Sequence, residues 1–202
     1  MIEILQGDCM AYMATLDDNA FDLAIVDPPY GLPKRSTKGM GKLADRQIQG
    51  MHKKGWDVAP EPSYFKELMR VSRNQIIWGG NYFYLPPNRG FIIWDKKQPW
   101  PNFAACEYAW NSIDGVAKIF PYDNRQDSKQ HPTQKPVKLY EWLLANYAKE
   151  GDRILDTHGG SMSSAIAAYY GGFDMTIIEL DEDYYKAGKA RFDHETKQQA
   201  LF

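Results

Sequence analysis

Four short aliphatic runs in this 202-residue chain each lead into a carboxylate, and that pattern narrows the fold more than any other feature. Ile2 to Leu5 runs through Gly7 to Asp8, and Leu23 to Val26 ends at Asp27. Arg153 to Leu155 ends at Asp156, and Met175 to Ile178 ends at Glu179. Short, bounded apolar runs read as buried strands. The last two alternate with helical patterns, Ser163 to Tyr170 (stopped by Gly171-Gly172) and Asp181 to Phe192. Strands that alternate with helices build parallel sheets. Open sheets of this kind bind ligands outside the carboxyl ends of their strands. The four acids therefore predict an α/β fold with a carboxylate-lined crevice along one sheet edge.

Further strands are expected at Gln75 to Trp78, Phe91 to Trp94, Glu107 to Trp110 and Val116 to Phe120. Helices are expected at Pro62 to Ser72 and Pro136 to Lys149, the second with Val137, Tyr140, Leu143, Leu144 and Tyr147 on one face. The polar last ten residues, Asp193 to Phe202, read as frayed. The length suits a single domain over residues 1–202, able to bury a sizeable core. A net charge of −2 advertises no polyanion partner, so any nucleic-acid surface must be a local patch. One such patch is visible. Residues 33–57 lose periodicity and read as a flexible loop, and residues 34–57 hold seven Lys or Arg against two Asp. Cys9 and Cys106 lie far apart in no C-x-x-C pattern, which argues against a disulfide framework or zinc and fits a reducing, cytoplasmic setting. The histidines at 52, 131, 158 and 194 lack metal-ligand spacing, so no metal is expected. No signal peptide and no run of membrane-spanning length is read, so no membrane contact is expected.

Two segments carry chemistry. Asp27-Pro28-Pro29-Tyr30 directly follows a strand, and two prolines there stop the strand and stiffen the chain beyond it. The result is a rigid ledge with a carboxylate at its start and an aromatic ring at its finish. An amino group on a flat heterocycle could use both, the carboxylate and nearby carbonyls accepting its N–H bonds and the ring stacking on its face. The second segment, Asp156-Thr157-His158-Gly159-Gly160-Ser161, joins a strand to a helix. Its glycines allow close backbone approach, and the helix start offers free N–H groups. Glu179, 23 residues beyond Asp156, can accept both hydroxyls of a ribose. This pair fits any adenosine-bearing cofactor and does not by itself separate a dinucleotide from S-adenosylmethionine. The G-x-G-x-x-G fingerprint is absent, however, and Asp156 would repel a pyrophosphate while attracting an ammonium.

Taken together, Gly7-Asp8, Asp27 to Tyr30, His131-Pro132-Thr133-Gln134-Lys135-Pro136, Asp156 to Ser161 and Glu179 resemble the amino-group (N6-adenine or N4-cytosine) DNA methyltransferases. The order resembles the permuted class in which D-P-P-Y precedes the cofactor loop. The resemblance implies a Rossmann-like methyltransferase fold, a mostly parallel sheet flanked by helices, with S-adenosylmethionine as cofactor and double-stranded DNA as partner. Asp27, Pro28, Pro29 and Tyr30 would hold the target base. Asp156, His158, Gly160 and Ser161 would face the methionine part of the cofactor, Glu179 the ribose, and Asp8 and Cys9 the adenine ring. Thr133 and Lys135 would border the cofactor's amino-acid end. The family's loop is D-P-F-x-G-S-G-T, so Thr157, His158 and Met162 depart from it. His158 still supplies a flat ring, whereas Met162 is expected to set a bulky side chain beside the cofactor.

Family members with Ser in place of Asp27 tend to act on cytosine, so Asp27 implies N6 of adenine, with N4 of cytosine as the alternative. A dinucleotide-dependent oxidoreductase and a catalytically weak DNA-binding relative are the rival classes. The chain has no room for a large recognition domain, so specificity must come from loops, with a homodimer as a further contributor. Lys34, Arg35, Lys38 and Lys42 lead the basic loop and are the candidate phosphate contacts. Replacing these four by Ala should weaken duplex binding and flatten its salt dependence, by a slope of roughly one per lost phosphate contact. Anisotropy titrations at several salt concentrations measure this, and an unchanged slope would make the segment a merely solvated loop.

Overall fold

A computed structural model of the chain describes residues 1–32, 58–100, 104–123 and 134–197. Among the described residues eight strands form one sheet: β1 (Ile2–Gln6), β2 (Phe21–Val26), β3 (Ser72–Trp78), β4 (Phe91–Asp95), β5 (Cys106–Asn111), β6 (Lys118–Pro121), β7 (Arg153–Asp156) and β8 (Asp174–Glu179). Their order across the sheet is β1-β8-β7-β2-β3-β5-β4-β6. Neighbours pair in parallel except where β5 meets β3 and β4, so β5 alone runs against the rest. β2 hands the chain toward β3 and β7 hands it toward β8, in opposite directions from their shared contact at Leu23↔Ile154 and Ala24↔Leu155. That contact is the point where the strand order reverses.

Both faces of the central strands are covered, which is why they read as continuous apolar runs instead of alternating ones. Leu23, Ile25, Ile76, Trp78, Ile154 and Ile177 pack on one face with Leu139 and Leu143 of α3 (Val137–Tyr147) and Ala165 and Ala168 of α4 (Ser163–Gly171). Ala24, Val26, Ile77, Leu155 and Ile178 pack on the other with Met13 of α1 (Cys9–Met13) and Tyr64, Phe65, Leu68 and Val71 of α2 (Pro62–Val71). The expected mostly parallel α/β fold is thus observed. The tryptophans Trp78 and Trp94, at the ends of β3 and β4, are fully buried core residues.

Two segments differ from expectation. The short helix α1 was not anticipated, because five residues carry too little periodicity to register; Asp8 caps it, its Oδ1 accepting the Met10 N–H at 2.7 Å. The terminal helix α5 runs Glu182–Lys197, so residues 193–197 are helical and not frayed, while residues 198–202 lie outside the described ones. Polarity misleads there. Lys189–Asp193 and Arg191–Glu195 are i,i+4 ion pairs, and Tyr170 donates its hydroxyl to the Glu195 carbonyl at 2.6 Å.

α5 lies close against the loop that follows β7. A Cβ on Gly188 would sit 2.7 Å from the Gly160 carbonyl oxygen and 2.7 Å from Met162 Cγ. In an ordinary helix Gly→Ala stabilises by about 1 kcal/mol. Here the sign should reverse. Gly188→Ala should destabilise by about 1–3 kcal/mol through overpacking, measurable as a lowered urea midpoint at constant slope; a stabilised variant would refute the close approach.

Candidate active site

The reversal between β2 and β7 sets two carboxylates side by side at the carboxyl edge of the sheet, Asp27 just beyond β2 and Asp156 at the end of β7. Glu179 ends β8, and Asp8 follows β1, completing the expected acidic row. A fifth carboxylate, Glu107, joins it, and sequence reasoning missed its role. Because β5 runs antiparallel, Glu107 stands at the start of its strand and not at the end. An acid at a strand's beginning carries no signal until the direction of that strand is known.

The ledge is built as a rigid unit. Pro28 is buried, and Tyr30 donates its hydroxyl to Asp27 Oδ1 at 2.7 Å. The Tyr30 ring stacks on Tyr82 with centroids 4.9 Å apart and meets Phe83 edge-on at 6.2 Å. It occupies the space above Gly79, where a Cβ would fall 2.2 Å from Tyr30 Cε1, and Gly79 has φ +69°. Burial, then the charges of Asp27 and Glu107, push the Tyr30 hydroxyl far up, so it stays a protonated donor. Asp27 Oδ2 is ion-paired with Lys135, whose Nζ also lies 3.2 Å from Glu107 Oε2. Lys135, assigned by resemblance to the border of the cofactor's amino-acid end, therefore directs its ammonium at the ledge. Burial opposes its charge, but Asp27 and Glu107 outweigh burial and hold it protonated. Burial likewise raises the Glu107 carboxyl, yet Lys135 and Lys96 prevail and bring it down to about 2.

The loop after β7 is pinned from several sides. Asp156 Oδ2 accepts from Ser164 Oγ at 2.6 Å and Oδ1 from the His158 N–H at 3.0 Å. Thr157 Oγ1 shares hydrogen bonds with Tyr64 Oη at 2.6 Å and His158 Nδ1 at 2.9 Å. Glu179 staples this loop to the next one: Oε2 accepts the Gly160 N–H at 2.8 Å, and Oε1 the Asp181 N–H at 2.9 Å. Arg191, buried on α5, donates to the Ser161 carbonyl at 2.8 Å and to Ser163 Oγ at 2.9 Å. Nothing in the sequence distinguishes that arginine from the solvated charges around it. Cys9 is half-buried beside Asp8, and burial with the Asp8 charge pushes its thiol up to about 11, so it is no thiolate nucleophile.

Met162 is the one departure from the family loop whose expected effect the structure reverses. Its side chain is fully buried and belongs to the core, against Gly159 and Gly188, rather than beside the crevice. The backbone there has φ +59°, a region that favours glycine. The glycines at 159 and 188 make room for the methionine that replaces it. Thr133 and the candidate DNA contacts Lys34, Arg35, Lys38 and Lys42 lie outside the described residues. What remains is a negatively charged edge with a close-approach loop, suited to a cationic, hydroxyl-bearing ligand, next to a ledge suited to an amine.

Comparison with known proteins agrees with that chemistry. Residues 108–190 match the N6/N4 family model described as DNA methylase. The type II methyltransferase M2.MboI of Moraxella bovis is 27% identical over 94% of this chain and 86% of its own length. Among solved structures, the M1.HpyAVI–SAM complex superposes with a TM-score of 0.63 at 18% identity, covering 96% of this chain and 100% of that one. PvuII DNA methyltransferase, described as cytosine-N4-specific, gives a TM-score of 0.63 at 14% identity over 97% of this chain and 90% of its own. The resemblance read from the motifs is thus borne out at the level of amino-group DNA methyltransferases, and the fold is the Rossmann-like methyltransferase fold.

Two titratable groups of the loop, Asp156 and His158, make opposing demands on pH. Burial, with smaller contributions from Asp27 and Glu179, pushes the Asp156 carboxyl from 3.8 to about 6, against the Ser164 and His158 hydrogen bonds. In that window the folded chain keeps a proton that the unfolded chain loses, so stability falls as pH rises. Burial brings His158 from 6.5 down to about 4, so its contribution to stability rises with pH over nearly the same window. In the wild type the two slopes largely cancel. His158→Phe should unmask the Asp156 slope, losing about 2–3 kcal/mol relative to wild type between pH 4 and 6, and Asp156→Asn should unmask the opposite slope. Urea unfolding at stepped pH measures both, and variant curves parallel to wild type would refute the burial of these groups.

Proposed function

We propose that this chain transfers a methyl group from S-adenosylmethionine to the exocyclic N6 amine of an adenine flipped out of duplex DNA. The observation that carries the reading is the pairing, across one strand contact, of the Asp27-Pro28-Pro29-Tyr30 ledge with the Asp156 loop. The match to the N6/N4 methylase model supports it. The residues present fit the cofactor. Asp156 and Glu179 offer negative charge to a sulfonium-bearing, ribose-bearing ligand, and at Gly160 a Cβ would meet nothing closer than the His158 carbonyl oxygen at 3.9 Å, which leaves backbone open to a ligand. His158, Ser161, Asp8, Cys9 and Thr133 are proposed to complete that site.

Bound S-adenosylmethionine supplies the electrophilic methyl group. The protein's own part is positional and electrostatic. An adenine amine is a weak nucleophile because its lone pair is delocalised into the ring. The Asp27 carboxylate and the Pro28 carbonyl each accept one of its N–H bonds, which favours a tetrahedral nitrogen with its lone pair free to attack. Tyr30, its plane fixed by the Tyr82 stack, supports the flipped base. Direct displacement needs no covalent enzyme intermediate, in keeping with a protonated Cys9. Lys34, Arg35, Lys38 and Lys42 are proposed to neutralise backbone phosphates, and the chain is proposed to act as one domain in the cytoplasm, with a homodimer extending the DNA surface. N4 of cytosine is the second reading, since the matching family model spans both amines.

Asp27→Ala should abolish tritium transfer to duplex DNA while S-adenosylmethionine binding by calorimetry stays nearly intact. Tyr30→Phe should keep much of the activity. Tyr30→Ala should lose roughly ten- to a hundredfold in kcat/KM, since base stacking is worth about 1–3 kcal/mol. Glu179→Ala should remove the thermal shift produced by S-adenosylmethionine. Full activity in Asp27→Ala would sink the mechanism, and N4-methylcytosine in the nucleoside digest would replace the adenine assignment.

A further inference from the structure

Lys135 is 5% exposed, and its ammonium lies between two carboxylates, bonded to Asp27 Oδ2 and 3.2 Å from Glu107 Oε2. The Trp78 ring lies 5.4 Å from the ammonium. With the Tyr30 hydroxyl on Oδ1 at 2.7 Å, both oxygens of Asp27 already accept a donor before any amine docks. An ionised carboxylate has about four acceptor positions, but an ammonium on Oδ2 is the same kind of partner that an exocyclic amine must become. Glu107 is placed to resolve that competition. Its Oε1 is held by Lys96, while Oε2 is buried and completes no well-angled hydrogen bond among the described residues. Oε2 already meets the Lys135 ammonium as an ion pair at 3.2 Å, so it is a second acceptor that the ammonium reaches without leaving the cluster.

Building on the DNA-methyltransferase reading, we propose that Lys135 is a positioning residue: its ammonium stands in for the target amine, holds the Asp27 carboxylate aimed, and moves to Glu107 Oε2 when the amine docks. Charge is conserved in the exchange, since an ammonium passes from one carboxylate to its neighbour and no proton is transferred. Lys96 restrains the move because it shares Glu107. The hydroxyls of Tyr64 and Tyr140, which face this cluster from α2 and α3, are pushed well up by burial and stay neutral, so neither competes as a charge. This division of labour explains why a buried lysine is set against the ledge at all. Without Lys135 the half-buried Asp27 carboxylate would keep only the Tyr30 hydroxyl to orient it.

The test is steady-state methyl transfer to duplex DNA by the full chain, with S-adenosylmethionine affinity and urea unfolding measured for each variant. Glu107→Gln removes the receiving charge, so KM for DNA should rise about tenfold with kcat and cofactor affinity little changed. Lys96→Met frees Glu107, so KM should fall. In the Lys135→Met/Glu107→Gln double variant no ammonium competes for Asp27, and KM should recover relative to Glu107→Gln. A purely structural lysine predicts the opposite, with the second substitution adding its own loss. An unchanged KM in Glu107→Gln, or a double variant worse than the single one, overturns this proposal while leaving the methyltransferase reading intact. A wild type that methylates no DNA overturns both. If Glu107→Gln fails to fold, Lys96→Met decides alone: a lower KM supports the exchange, and an unchanged or higher one refutes it.

Discussion

The contact between β2 and β7 is the constraint on which the site depends. Only Leu23↔Ile154 and Ala24↔Leu155 register the two strands, yet their onward connections leave in opposite directions. The loops beyond them therefore diverge and leave a cleft between them, with Asp27 on one lip and Asp156 on the other. Helices on both faces make this arrangement obligatory, because neither side of Leu23 to Val26 or of Ile154 to Leu155 can face water. Moving either strand by one residue would exchange the faces that α3 and α4 cover with those that α1 and α2 cover.

Along that cleft, negative charge is managed in three different ways. Asp27 is matched by a buried ammonium. Asp156 pairs with no cation among the described residues and relies on a serine hydroxyl and a backbone N–H, and burial raises its carboxyl to about 6. Glu179 is held by two backbone N–H groups from successive loops, with burial keeping its carboxyl above the usual range. Among the described residues the ledge carboxylates Asp27 and Glu107 are therefore matched by ammonium groups, whereas Asp156 and Glu179 are held by hydroxyl and N–H donors. A cationic ligand gains most by settling near Asp156 and Glu179, and a neutral amine does better at the already balanced ledge.

Much of this was legible from local pattern alone. Parallel strands that end on acids announce themselves, because both the apolar run and the terminating residue are contiguous. So do α3 and α4, whose apolar spacing and closing glycines are local signals. What escaped notice depended on direction or depth. Glu107 joins the cleft only because β5 runs backwards. Lys135 sits in a recognisable segment, but its partners Asp27 and Glu107 come from segments distant in sequence. Arg191 looks like any helix-surface charge until α5 is seen against the Ser161 carbonyl. Met162 reads as an obstruction in one dimension and as core filling in three. The polar end of α5 reads as frayed because side-chain pairs and a tyrosine hydroxyl, not apolar contacts, hold it.

Gly79 and Tyr30 are separated by a long stretch of chain, and yet one occupies the volume that the other leaves empty. No side chain larger than hydrogen can stand at position 79 while the tyrosine ring keeps its place, and the left-handed backbone there adds a second reason for glycine. The two positions form a single steric unit. A side chain at position 79 becomes sterically possible only once the ring at position 30 is gone, so the order in which the two can be exchanged is fixed.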